Sequence, residues 1–358
     1  MKVAKATRSY EAWLGKRITL LPADLEHKHA AMDENVFPFL RATFYRWMQL
    51  WSEVCADENR APKVLAVGDL HVDNFGTWRD VEGRLVWGIN DFDEAYDLPY
   101  TIDLVRLATS AHIAIRNAQL KISTHEACNS ILAGYKKCLR MGGSPIILAE
   151  QHPWLRDLMT SKLRDPVAFW EKMDRLRTWR ARVPGSARRG IERMLPEKGL
   201  EYRLAHRIAG LGSLGRERFV ALALFQGGKI AREAKALAPS ACVWAVGGKL
   251  SERIRYQEIL DRSVRAIDPY VRLKGRWIVR RLAPYCSRVE LSSIPEERDE
   301  SKLLHAMGFE TGNVHLGTPR ALKLILRDLD QRPPHWLHKA ALKMVDSVTE
   351  DWREWRAR

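Results

Sequence analysis

The chain has 358 residues, of which 46% are hydrophobic and 29% charged, and a formal net charge of +15. That length and balance suit a soluble protein of one large domain or two lobes, each with its own core. No apolar run is long enough to span a bilayer, and the opening MKVAKATRSYEAWLGKR lacks the apolar centre of a signal peptide, so a cytoplasmic protein with no membrane span is expected.

Residues 1–60 read as helical, with apolar spacing through HAAMDENVFPFLRATFYRWMQLWSEVCA and a break at Pro38. Arg41, inside an apolar run, either snorkels or pairs with a buried acid. A strand KVLAVGD leads into GDLHVDNFG, and after the turn RDVEGR a second strand, RLVWGIND, leads into DFDEA. The helix DLVRLATSAHIAIRNAQ follows, capped by Thr101 or Asp103, and helices continue through EACNSILAGYKKCLRMGG. The Arg-dense segment 172–193, broken by Pro-Gly-Ser, reads as a helical hairpin or a basic arm, and the arm is what a nucleic-acid-binding role would use. From residue 201 the pattern turns to antiparallel strands: EYRLAHRIAG, RERFVALALF and KIAREAKAL, then GRWIVRRLAP with CSRVEL as its continuation. The last sixty or so residues are helical. Five cysteines, Cys55, Cys128, Cys138, Cys242 and Cys286, show no CxxC spacing, which argues against a disulfide framework and a zinc site.

Two stretches carry chemistry. In the first, Asp69 on a loop after a strand can accept a proton from an attacking hydroxyl. Asn74, five residues on, offers an amide oxygen to a divalent cation, and Asp91 at the next strand end offers a carboxylate. Asp91, Asp93, Glu94, Asp97 and Asp103 would repel one another unless a cation or an arginine lay among them. The plainer alternative is an acidic turn that caps the following helix. His71 reads as a structural hydrogen bonder. In the second stretch, GLGSLG places Gly210, Gly212, Ser213 and Gly215 ahead of a strand rather than a helix. That is the context of a flap over nucleotide phosphates, not of a dinucleotide fingerprint. Its alternative is an ordinary β-meander turn. Lys235 falls on the next strand, and Arg232, three residues away, should face the opposite side.

GDLHVDN, INDFDEA and IDLVRLATS together resemble the catalytic loop and metal-binding segment of protein-kinase-like enzymes, closest in style to aminoglycoside phosphotransferases. With GLGSLG, KALAPS and WIVRRLAP in the same order, the chain also resembles the bacterial domain of unknown function 2252 family over roughly residues 28–315. The kinase likeness implies Asp69 as catalytic base, Asn74 and Asp91 as ligands of Mg²⁺ with Asp93 as helper, and Asp103 as a buried anchor of the loop. It further implies that Gly210, Gly212, Ser213 and Gly215 cover the phosphates of ATP while Lys235 holds them, with Glu252 or Glu258 as the lysine's partner. Val67 stands where such enzymes usually carry a histidine. The Gly-rich loop follows the catalytic loop by about 140 residues, the reverse of the usual order, which implies a circular permutation.

The expected fold is therefore α+β and two-lobed: a helical lobe with the catalytic and metal loops over 1–199, a small antiparallel nucleotide-binding lobe over 200–292, and C-terminal helices over 293–358 packing back on the first. The expected function is ATP- and Mg-dependent phosphotransfer to a hydroxyl-bearing small molecule or protein, an anionic one being favoured by the basic surface. The alternatives are nucleotidyl (AMP) transfer and a non-catalytic nucleotide- or nucleic-acid-binding regulator. The acceptor and the oligomeric state have no signature in the chain.

Overall fold

The computed structural model describes residues 1–161, 164–248 and 250–358. Among the described residues ten strands, all paired antiparallel, are distributed over three sheets: β1 (Lys63–Ala66), β2 (Phe75–Arg79), β3 (Leu85–Ile89), β4 (Tyr96–Pro99), β5 (Ile146–Ile147), β6 (Arg203–His206), β7 (Arg218–Phe225), β8 (Gly228–Ala236), β9 (Val271–Lys274) and β10 (Trp277–Leu282). With helices before, between and after them, the class is α+β.

The first four strands are short and do not pair in the order the sequence invites. β1 pairs with β4, Ala66 opposite Tyr96, whereas β3 pairs with β2 and β5. The consequence is that the loop after β1 and the loop after β3 close over each other. CSRVEL does not extend β10. Arg288 instead bridges Gly76, and the Val289 N–H donates to the Phe75 carbonyl at 2.8 Å, so this segment runs along β2.

The later strands form a five-stranded sheet in the order β6-β7-β8-β10-β9. Alternation along β8 sends Ala234 and Ala236 to one face, where Val183, Ala187 and Ile191 cover them. Ala231 goes to the other face, against Met173 and Leu282. The segment 172–193 thus begins at the end of the helix Pro166–Asp174, runs without helix past Thr178, which bridges Ala205 of β6, and ends in the helix Gly185–Glu192 packed on this sheet.

A larger apolar core joins the N-terminal helices, the first strands and the C-terminal helices. Between residues 22 and 54 the helices break twice, at Asn35 and at Thr43. Pro38 sits in the first turn of Val36–Ala42, where no intrahelical donor is needed, and the preceding helix ends at Glu34, whose carbonyl a proline four residues on would crowd. The helices Thr124–Met141 and Glu300–His315 cross at glycines. A Cβ on Gly134 would lie 1.9 Å from the His305 carbonyl oxygen, and one on Gly308 would lie 2.0 Å from that of Ile131. Gly308→Ala must push the two backbones apart. A loss of roughly 1–3 kcal/mol is expected, readable as a lower urea midpoint with an unchanged slope.

All five cysteines are free and buried. Among the described residues no helix is long and apolar enough to cross a membrane.

Candidate active site

The site is built on an anchor. Asp103, fully buried in the first turn of the helix Thr101–Arg116, does not cap that helix. Its carboxylate accepts the N–H of Val67 at 2.7 Å and of Gly68 at 2.8 Å, fixing the chain where β1 ends. Thr101 is not the cap either, since its hydroxyl donates to the Glu58 carbonyl. Gly68 takes a left-handed φ of 84°, and a Cβ there would meet the Glu94 carbonyl oxygen at 2.6 Å, so the turn requires glycine. His315 supports the same carboxylate: its Nε2 lies 2.9 Å from Asp103, and its Nδ1 lies 2.9 Å from the Tyr135 hydroxyl.

Beyond the turn, Asp69 accepts from Nε of Arg106 at 2.8 Å and from Nη2 of the same side chain. Arg106 is buried, stacked on Phe44 and Trp47, and also donates to the Leu40 carbonyl. Burial pushes Asp69 up to about 6, against the pull of the Arg106 charge. Arg41 does pair with a buried acid: Nη1 lies 2.9 Å from Asp73, whose other oxygen accepts the Leu291 N–H. His71 departs from expectation, since its buried Nδ1 has no hydrogen-bond partner. Burial first, then the Arg41 charge, holds this imidazole well below its usual range, so it is neutral.

Asn74 is pinned by its own amide. The Nδ2 donates to two backbone carbonyls, Asp69 at 3.0 Å and Asp91 at 3.3 Å. Two carbonyl acceptors define which end of the amide is nitrogen. The Oδ1 is then buried with no donor facing it. A buried amide oxygen left unpaired costs on the order of 1–3 kcal/mol, which is a reason to look for a ligand.

Lys235 on β8 reaches both acids, with Nζ 2.6 Å from Asp93 and 3.4 Å from Asp91. Neither Glu252 nor Glu258 is its partner; they pair with Arg17 and Arg255. Burial works against ionising Asp91, but the Lys235 charge outweighs it and holds that carboxyl below its ordinary range. Burial and the Asp91 charge push Asp93 up to about 6. Arg216 bridges Asp93 at 3.4 Å and Glu94 at 3.2 Å, and Asp97 pairs with Arg255 at 2.6 Å. The repulsion foreseen among these acids is therefore met from within the chain, and acidity alone does not require a metal. Among the described residues no group of three or more His, Cys, Asp or Glu side chains is arranged to hold one. What fits a hard cation is a smaller set, the Asn74 Oδ1 with Asp91 and Asp93, of the size magnesium uses when phosphates complete its shell.

The Gly-rich stretch arrives from the far end of the sequence. It connects β6 to β7, which pair directly, so it is a strand-loop-strand element. A short 3₁₀ turn spans Leu211–Ser213, and Gly210 and Gly215 have positive φ. A Cβ on Gly212 would sit 3.2 Å from Asp69 Oδ2 and 3.0 Å from the Arg41 carbonyl. Ser213 Oγ accepts from Arg218 at 3.0 Å. Asp69, Asn74, Asp91, Asp93, Gly212 and Ser213 thus line one cavity of about 30 Å³. That is room for a water or two, not for a nucleotide.

Sequence reasoning did not single out Arg106, Arg216 or Glu233. The last is fully buried on β8 and takes ion pairs from Arg207, Arg218 and Arg280, each at 2.8 Å. The available signal was a charged residue inside an apolar run, as at Arg106 in DLVRLATS, or alternating charges along one strand, as in KIAREAKAL.

Residues 20–168 match the family described as uncharacterized protein conserved in bacteria (DUF2252). The match contains Asp69, Asn74, Asp91 and Asp103. GLGSLG, Lys235 and WIVRRLAP lie beyond it. No curated protein and no solved structure matches the chain.

Proposed function

We propose that the protein is an ATP- and Mg²⁺-dependent phosphotransferase of kinase-like type, with its lobes in circularly permuted order. The observation that carries this reading is the Asn74 Oδ1, buried without a donor in the cavity that Asp91, Asp93, Asp69 and Gly212 share. Asn74 and Asp91, with Asp93, would hold the ion, which when bound neutralises charge on the phosphates. Asp69 takes the proton of an acceptor hydroxyl as the new oxygen–phosphorus bond forms and the bond to the leaving ADP oxygen breaks. Arg106 holds one oxygen of Asp69 and leaves the other facing the Gly-rich loop. Backbone N–H groups of the Gly-rich loop, apart from those of Ser213 and Leu214 that donate within it, and the ammonium of Lys235 suit the phosphates. Lys235, now between Asp91 and Asp93, would release them to the metal and turn to the nucleotide.

The cavity, at about 30 Å³, is too small for a nucleotide, so nucleotide binding requires the Gly-rich loop to lift from Asp69. On this reading residues 1–199 with 293–358 form the acceptor-side lobe and 200–292 the nucleotide lobe. Mass analysis of spent nucleotide is expected to find ADP. Pyrophosphate and AMP would replace this reading with nucleotidyl transfer.

A base must be ionised to accept a proton, and Asp69 sits at about 6. The rate is therefore expected to rise from acid pH with a limb centred near pH 6 and to level off above it. ADP release measured across pH checks this, and Asp69→Asn should remove the limb along with the activity.

A further inference from the structure

The five-stranded sheet carries its Lys235 and Glu233 charges on one face. The opposite face has a second cavity, of about 800 Å³, between the segment after the helix Gly185–Glu192 and the β9–β10 hairpin. Its lining includes Arg193, Lys229, Arg232, Arg272, Lys274 and Arg281, and no Asp or Glu.

The two arginines of its floor are unusual. Arg232 on β8 stands directly opposite Arg281 on β10, an arrangement of like charges that destabilises a strand pair. Arg232 is only 5% exposed. Its guanidinium donates to the Met194 and Ala231 carbonyls, and among the described residues no carboxylate lies within ion-pair distance. Arg281 has Asp268 at 3.8 Å, and its buried Nε has no partner. Both stack on Tyr270, with ring distances of 4.9 and 4.3 Å, which offsets part of the repulsion. At the mouth Lys229 is paired with Asp174, while Arg193, Arg272 and Lys274 are exposed and make no ion pair among the described residues.

We propose that this cavity binds a small ligand carrying two or more phosphate groups, at a site separate from the Asp91 cavity. Arg232, buried, and Arg281, partly buried, supply guanidinium donors suited to phosphate oxygens, three unpaired cations ring the opening, and the volume lies in the range of small-molecule pockets. A nucleic-acid strand fits less well, because beyond Arg193 the adjoining surface alternates Arg188, Arg189 and Lys198 with Glu192, Glu197 and Glu201, so the unmixed positive charge is confined to the cavity and its mouth.

The test is calorimetric titration of inorganic tripolyphosphate into the full chain with EDTA present. The expected result is saturable binding that weakens about tenfold or more in Arg272→Glu/Lys274→Glu and in Arg232→Met, and is unchanged in Asp91→Ala. The first variant changes only exposed side chains, so it decides the matter if Arg232→Met does not fold. Absence of binding, binding indifferent to the double variant, or binding lost in Asp91→Ala would overturn the proposal. So would a short single-stranded RNA that binds through these residues where tripolyphosphate does not.

Discussion

Asp91→Ala is expected to lower Mg-ATP turnover by roughly 10³-fold or more while leaving the protein folded. A carboxylate that holds the metal against the transferred phosphate is worth several kcal/mol in the transition state, and each 1.4 or so is a factor of ten. The fold should survive because Lys235 keeps its nearer partner, Asp93 at 2.6 Å, and Arg216 keeps both Asp93 and Glu94. Asp93→Ala is the informative contrast. It removes that nearer partner and one of the two acids of Arg216, so it should cost stability as well as rate. ADP release and a thermal melt on each variant separate the two effects. Turnover within tenfold of wild type in Asp91→Ala would remove that residue from the metal site.

Asp103→Ala has the largest expected effect on folding. The substitution strips the acceptor from two buried backbone N–H groups, Val67 and Gly68, and from His315 Nε2. Each of the three orphaned groups costs on the order of 1–3 kcal/mol, so a loss of roughly 3–9 kcal/mol follows. Asp103→Asn keeps one oxygen and should lose less, because only one of the two N–H groups then faces an amide nitrogen. Urea unfolding should rank the three proteins in that order. An Asp103→Ala midpoint equal to wild type would mean that the turn after β1 is held by something else. Since Asp69 follows that turn directly, the variants should lose activity by more than their folded fraction accounts for.

Much of this was legible in the chain because it is local. The β7–β8 hairpin reads from its alternating and β-branched residues around Gln226-Gly227-Gly228, and Asp103 was identified as a loop anchor from its motif. Alternation along β8 also separates Lys235 from Arg232, which face opposite sides of the sheet. Long-range pairing was not legible. Nothing near Lys63 says that β1 pairs with β4 rather than with the strand that follows it, and nothing near Lys235 names Asp93 as its partner. These contacts depend on how separate packing units close, and single-chain periodicity carries no record of that. The same blindness made the acid cluster look bare. The cations that neutralise it come from positions 216, 235 and 255, and only the assembled fold brings them there. The break assigned to Pro38 falls three residues earlier, at Asn35, because proline is tolerated in a first helical turn, and the second break, at Thr43, was not legible.

An acid-rich turn would bind a cation by necessity only if its charges were unanswered. Here they are answered, and what is left over is a single buried oxygen on Asn74 beside Asp91.

The most direct measurement is calorimetric titration of ATP, with and without Mg²⁺, into wild type, Asp91→Ala and Asn74→Leu. The account predicts that wild type binds ATP more tightly with Mg²⁺, and that both variants lose the dependence on the metal. No binding by wild type, or binding that neither Mg²⁺ nor either substitution alters, would contradict it.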